Sequence, residues 1–339
     1  MKSLVTRGNY CEFLIGTQIN YTCTYYADHT SKFSHDAVRA YLKRDTIGSK
    51  AIWKQAQGEI IGSFQGYLVF DDTVADKNHS KQIELVRRQW SGNSKKVIRG
   101  IGMVNCVYVN PDLNLFWIID FRLYDIEGDG KTKLDHVQDM LDNVVQHKRL
   151  PFAAVLMDTW YAKMAVMKRI ETLGKVYYCP VQHNRQVDDS DEKHPYQRVD
   201  ALTWSEAELN QGKTIHLKGF PKGHRVKLFR LVISTDRTDY VVTNDMTQDD
   251  TAATHTVCGF RWTIEQFHRE VKQITGLEMC QCRLARSQRT HFGCAVLVWM
   301  RLKSIASQSA QTVYQLKQNL LDDYMRHVLR DPPFKMTFA

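Results

Sequence analysis

"GYLVFDD", residues 66–72, is a short apolar run that ends in two carboxylates. Tyr67 to Phe70 are too few to make a helix and too apolar for a loop, so the run reads as a buried strand. The pattern returns at "FAAVLMD", residues 152–158. Between them lie "KVIRGIGMVNCVYV" (96–109) and "LNLFWIIDFRLYD" (113–125), two long strand-like runs parted by the turn "NPD" at Asn110–Asp112. "KLDHVQDMLDNVVQHK" (133–148) sets Leu134, Val137, Leu141, Val144 and Val145 on one helical face. "YAKMAVMKRIETLG" (161–174) reads as a helix closed by Gly174, and "KVYYCPV" (175–181) as another strand. Strand, strand, strand, helix, strand, helix, strand predicts antiparallel hairpins followed by strand–helix–strand crossovers, hence a mixed sheet with helices on it.

That order is the one ribonuclease-H-like domains use. The expected fold class is therefore α/β, a ribonuclease-H-like mixed sheet with flanking helices. Residues 1–60 read as a small helical N-terminal module. In it, "SHDAVRAYLKRD" has Ser34 as N-cap and Val38, Tyr41 and Leu42 on one face, and a second short helix follows near Lys50. Such a pair fits a helix-turn-helix-like DNA contact or a packing appendage. Residues 186–246 are polar and strand-rich, and predict a β-rich insertion outside the main sheet, with Lys222, Arg225, Lys227 and Arg230 facing a DNA partner. The expected division is 1–60, a core in two parts over 61–185 and 247–305, the insertion over 186–246, and a C-terminal helix and tail over 306–339.

The chain has 339 residues, 43% of them hydrophobic, and a net charge of +9. This length favours more than one module, and the charge favours an anionic partner, most often nucleic acid. No apolar run approaches the roughly 18–20 residues of a membrane span, and "MKSLVTRGNY" lacks a signal peptide's apolar core. A cytoplasmic location and reduced thiols for all eight cysteines are expected. Cys280, Cys282, His291 and Cys294 do not have a common zinc spacing. Asp125, Glu127, Asp129 and Gly130 imitate the start of a calcium loop, but His136 stands where a bidentate glutamate is required.

The carboxylates carry the chemistry. Aspartates that end neighbouring buried strands are held close together at a sheet edge, where α/β sites gather. Adjacent carboxylates raise each other's pKa unless a cation sits between them, and Mg²⁺ (or Mn²⁺) suits an all-oxygen set. A third carboxylate is offered by "GFRWTIEQFHREVKQ", residues 259–273. Phe260, Ile264, Phe267, Val271 and Ile274 make its core face. Arg261, Glu265, His268 and Lys272 recur at the same spacing, about a quarter-turn away.

Together these blocks resemble the DDE transposases of the insertion-sequence-4 superfamily, and most of all the insertion-sequence-701-like group. "LVFDDTVADK" resembles the first-strand motif, "VLMDTWYAK" the second-aspartate block, and "CGFRWTIEQFHREVK" the signature Y-x2-R-x3-E-x6-K, with Cys258 in place of the tyrosine. The resemblance implies catalytic metal ligands at Asp71, Asp158 and Glu265, with Asp72 the alternative to Asp71. It also implies DNA contacts from Arg261 and Lys272, and from Thr73, Lys77 and Arg269 beside the motifs. It further implies a two-Mg²⁺ cut at transposon ends through hairpins, joining of 3′ hydroxyls to target DNA, double-stranded DNA as partner, a homodimer in the synaptic complex, and a bacterial, nucleoid-associated setting. The other readings are a ribonuclease-H-like nuclease without strand transfer, and an inactive or domesticated copy that binds DNA.

Overall fold

The computed structural model describes residues 4–80, 82–190 and 195–330. Four helices come first: α1 (Arg7–Gly16), α2 (Cys23–Asp28), α3 (His35–Arg44) and α4 (Ser49–Ala56). Then follow β1 (Tyr67–Asp76), β2 (Arg87–Ser91), β3 (Lys96–Asn110), β4 (Leu115–Leu123), the short α5 (Ile126–Asp129) and α6 (Lys133–Asn143), which ends in a π turn over Val144–Lys148. Next are β5 (Ala154–Met157), α7 (Met164–Thr172), β6 (Val176–Val181), β7 (Gln186–Asp188) and β8 (Gln197–Arg198). The chain closes with α8 (Glu206–Gln211), β9 (Lys213–Leu217), β10 (Val226–Ser234), β11 (Arg237–Thr243), α9 (Thr251–Gly259), α10 (Trp262–Thr275), α11 (Ala285–Ser309) and α12 (Val313–Arg330).

The sheet runs β2-β3-β1-β5-β6-β11-β10-β9-β7-β8, with β4 also on β3. β5 is parallel to both β1 and β6. β3 runs antiparallel to β1: the Lys77 N–H bonds the Arg99 carbonyl at one end, and the Ser63 N–H bonds the Tyr108 hydroxyl at the other. The order β4-β3-β1-β5-β6 is thus three antiparallel strands flanked by two parallel ones, the ribonuclease-H-like arrangement. Two details differ from expectation. β1 does not stop at Asp72 but runs on to Asp76, and a short edge strand, β2, precedes β3. Residues 186–246 do not stand outside the main sheet, because β11 pairs antiparallel with β6, Tyr240 to Val181 through Thr243 to Tyr178, and extends it.

The described residues fall into two compact units, one from Met1–Glu59, Thr73–Met103 and Gln266–Ala339, the other from Ile60–Asp72 and Val104–Glu265. β1, β3 and α10 each begin in one unit and end in the other. In the first unit the N-terminal helices pack on α11. Ser34 caps α3 by accepting the Ala37 N–H, and Val38, Tyr41 and Leu42 are buried. The Tyr10 hydroxyl meets His291 Nδ1 at 2.9 Å, and the Tyr41 hydroxyl meets Cys294 Sγ at 3.4 Å. Lys317 Nζ donates to the carbonyls of Leu14, Ile15 and Thr17, which the end of α1 would otherwise leave without donors. Close approach of β3 to β1 explains Gly100: a Cβ there would stand 2.4 Å from the Ala75 carbonyl oxygen.

In the second unit, Val69, Phe70, Val155, Leu156 and Met157 are fully buried at the centre of the sheet. α7 ends as its sequence requires, with Gly174 in the left-handed region at φ +65°. Among the described residues no helix is long and apolar enough to cross a membrane.

Candidate metal centre

Pairing of β1 with β5 sets this site. The register runs from Tyr67 opposite Ala154 to Phe70 opposite Met157. One residue further along each strand, Asp71 stands beside Asp158. The strands are anchored by buried side chains up to that point, so Asp71 within β1 and Asp158 just past the end of β5 stand on a rigid base. Asp71 is only 9% exposed, and Asp158 is half-buried.

The third carboxylate comes from α10. Ile264, Phe267, Val271 and Ile274 are all buried, which fixes the rotation of the helix and turns Glu265 off the core face. A Glu265 carboxylate oxygen lies within 4.8 Å of one on Asp71. His268 follows one turn later on the same helix and is buried. The stretch 259–273 is not one helix, however. α9 ends at Gly259 and α10 begins at Trp262, so Arg261 sits in the joint, where its Nη1 donates to Glu265 Oε1 at 3.4 Å. Phe260 stays apolar in role by stacking on Tyr67, with ring centroids 5.2 Å apart.

Electrostatics mark Asp71 as the strained member. Burial, and then the negative charges of Asp72, Asp158 and Glu265, push its carboxyl well above the usual range. Asp72 is held otherwise: it accepts from Lys133 Nζ at 2.5 Å and from the Tyr161 hydroxyl at 2.7 Å. Strand alternation separates the two aspartates, and only Asp71 reaches Glu265. Burial, and then the charge of Lys272, lower His268 to about 3. A buried carboxylate among three others loses least free energy as an anion when a divalent cation lies between them. Asp71, Asp158 and Glu265 therefore fit such an ion.

The residues expected to touch DNA are placed unequally. Arg261 is partly exposed beside Glu265, and Arg269 is exposed on α10, where it hydrogen-bonds Tyr314. Thr73 is buried. Lys77 is 4% exposed, and its Nζ donates to the carbonyls of Glu278 at 2.6 Å and Cys280 at 2.8 Å. Lys272 Nζ donates to the Val74 carbonyl at 2.7 Å and pairs with Glu278 Oε1 at 3.1 Å. The phosphate contact expected of these two lysines is not what this geometry provides: both amines tie the far half of β1 to the loop after α10. Reaching a phosphate would take a donor from the Glu278, Cys280 and Val74 carbonyls.

Residues that the sequence did not single out complete the surroundings. Lys133 and Tyr161 fix Asp72. Arg237, paired with Asp239 at 2.8 Å, feels the charge of Asp158. A cleft of about 220 Å³ opens next to Met157, lined also by Arg237, Asp239, His255, Arg261 and Trp262. Lys133 follows the helix-capping Thr132, a local signal; Arg237 lies 79 positions from Asp158 and carries none.

The family model described as a transposase DDE domain matches residues 68–301. No curated protein matches the sequence. Among solved structures, the chain is similar to the piggyBac transposase synaptic complex with hairpin DNA, at 10% identity over 97% of this chain and 72% of that one, TM-score 0.47. It is also similar to the Drosophila P element transposase strand transfer complex, at 9% identity over 52% of this chain and 37% of that one, TM-score 0.29. A Ciona intestinalis endonuclease V in complex with DNA aligns at 8% identity over 65% of this chain and 96% of that one, TM-score 0.27.

Proposed function

This chain belongs to the transposase DDE domain family, and from that premise we propose that it is a DNA transposase of the insertion-sequence-4 superfamily, insertion-sequence-701-like group. It cuts double-stranded DNA at transposon ends, through hairpins, and joins the freed 3′ hydroxyls to target DNA. The observation that carries this reading is the meeting of Asp71 with Glu265, within 4.8 Å, at the strand register that sets Asp158 alongside.

Divalent cations, Mg²⁺ or Mn²⁺, held by Asp71, Asp158 and Glu265 would supply Lewis-acid polarisation of the phosphate and a water of lowered pKa. The remaining work belongs to the chain. Two paired strands hold Asp71 and Asp158 at fixed spacing, so no side-chain entropy is lost when the phosphate arrives. Tyr161 and Lys133 keep Asp72 out of the ligand set. Arg261 stands beside Glu265 with donors suited to a phosphate oxygen, and Arg269 extends the basic face of α10. Lys222, Lys227 and Arg230 of the strand-rich segment add charge for the DNA backbone, and the +9 balance of the chain supports such a partner. Lys77 and Lys272 act from inside, by fixing β1 and α10.

Synapsis of two ends calls for a homodimer, and the setting is the bacterial cytoplasm, on the nucleoid. The test is strand nicking on DNA carrying the ends that flank the gene, with Mg²⁺ alone. Nicks at the ends followed by joined products support transposition, whereas nicks without joining would reduce the reading to a nuclease.

A further inference from the structure

Three of the eight cysteines converge inside the first unit. Cys282, in the loop between α10 and α11, accepts a hydrogen bond from the thiol of Cys23, the first residue of α2, and another from the thiol of Cys280. All three are free thiols. We propose that this cluster is an oxidation site, in which a hydroperoxide oxidises Cys282 and Cys23 closes a disulfide with it.

Three observations support it. First, the loop is held in place. Gln288 Nε2 donates to the carbonyls of Cys280 at 3.1 Å and Cys282 at 2.6 Å, and the Arg283 carbonyl accepts the Glu84 N–H at 3.0 Å. Second, the segment that carries Cys23 packs directly on that loop. Gly276, at φ +65°, lies so near Tyr21 that a Cβ would stand 2.3 Å from its ring. The two sulfurs thus start within hydrogen-bond reach on two segments that already touch. Third, the surroundings favour an anionic sulfur. Hydrogen bonds from Cys23 and then Cys280, followed by His291 and Arg39, hold the Cys282 thiol well below its usual range, while the bond to Cys282 and burial hold Cys23 above it. Arg39 of α3, His291 of α11, Tyr10 of α1 and Lys77 are the titratable groups that feel these sulfurs. The cations among them suit a thiolate better than a bound metal ion. Cys282 stands between the exposed Gln281 and Arg283 and is half-buried, as Cys23 is, whereas Cys280 is 4% exposed. With hydrogen peroxide, the Cys282 thiolate attacks one oxygen: an S–O bond forms, the O–O bond breaks and hydroxide leaves. The Cys23 thiol then attacks the sulfur of this sulfenic acid: the S–S bond forms, the S–O bond breaks and water leaves with the thiol proton. Two electrons pass from the sulfurs to the peroxide. A bond made only on such a challenge is the kind a reducing compartment permits.

The test uses the full chain, reduced and treated with a chelator. Hydrogen peroxide should remove two hydrogens per chain, and peptide mapping by mass spectrometry should show Cys23 joined to Cys282, a bond that dithiothreitol reverses. In Cys23→Ser the reaction should stop at a sulfenic acid on Cys282, which dimedone traps; in Cys282→Ser, Cys23 should stay unmodified; Cys280→Ser should leave the bond intact. In the wild type, alkylation of Cys282 by iodoacetamide should slow less than about threefold from about pH 7.5 to about pH 5, over which an ordinary thiol slows roughly 300-fold. An ordinary profile at Cys282, or a peroxide-made bond that omits Cys282 or joins it to Cys280, overturns the proposal. So does Zn²⁺ held by Cys23 and Cys282 against a chromophoric chelator in a chain that peroxide leaves uncrosslinked, which would make the cluster a metal site. The wild-type map and alkylation profile decide even where a cysteine variant fails to fold.

Discussion

Asp71→Asn should stabilise the metal-free chain while abolishing its chemistry. Two unit charges at 4.8 Å, the outer limit of the Asp71–Glu265 separation, would repel by about 3.5 kcal/mol at an effective dielectric of ~20, a cost the folded apo chain meets as repulsion or by taking up a proton. The Glu265 side chain is 39% exposed, and water screens the pair to about 1–2 kcal/mol. Asparagine keeps the volume and still accepts the Asp72 N–H, now made at 2.8 Å, while its amide can donate to the neighbouring carboxylates. The apo variant should therefore melt about 1–3 °C above wild type. Adding Mg²⁺ reverses the order: at a hundred times its dissociation constant an ion stabilises the wild type by about 2.7 kcal/mol and does little for a variant lacking a ligand. The pH dependence has a definite sign. With the Asp71 carboxyl raised by burial and by its neighbours, the folded chain holds a proton that the unfolded chain has released, so apo stability falls as pH rises from the ordinary carboxylate range through the raised value. The variant should lack that slope. Differential scanning calorimetry in EDTA and in Mg²⁺, at two pH values, reads all of this. An apo variant less stable than wild type by more than about 1 kcal/mol, or an equal Mg²⁺ shift in both proteins, would refute the reasoning.

Glu265→Gln and Asp158→Asn should each lose nicking by at least a hundredfold, roughly the cost of removing a group that stabilises transition-state charge. Both should bind end DNA as wild type does in a gel-shift titration at one salt concentration, since affinity rests on basic contacts to phosphate; nicking that survives would remove either residue from the ligand set. Lys77→Met should cost about 1–3 kcal/mol of stability by removing the amine that bonds the Glu278 carbonyl and shares the Cys280 carbonyl with Gln288, with no change in the salt slope of DNA binding. Arg269→Ala, on the exposed face, should do the converse and lower that slope by about one. Charge neutralisation of Lys222 and Lys227 together should lower it by about two, and an unaltered slope would make the strand-rich segment a bystander.

How much of this was legible in the sequence depended on whether the signal was local. Apolar runs ending in Asp71 and Asp158 announced strands, though not that β1 runs on to Asp76, because a strand needs only its own side chains to read as buried. The stripe on α10 announced Glu265 and, unassigned, His268, because helical spacing is also local. The choice between Asp71 and Asp72 was not decidable there. It took the pairing of Phe70 with Met157, and the capture of Asp72 by Lys133 and Tyr161, from 61 and 89 positions away. α1 was missed because only Tyr10 and Leu14 of its ten residues are buried, too few to draw a stripe. The continuation of the sheet from β6 into β11 was missed for a related reason. Alternating strands state which face is apolar, but the partner of an edge is chosen by unpaired backbone groups that carry no side-chain signature. The same blindness misplaced Lys77 and Lys272. Their charge pointed to phosphate, yet apart from the Glu278 carboxylate beside Lys272 the acceptors they found are main-chain carbonyls, which every residue owns and no sequence pattern marks. The carboxylates were readable because the strands and the helix that carry them are local patterns; the lysines were not, because the fold chose their partners.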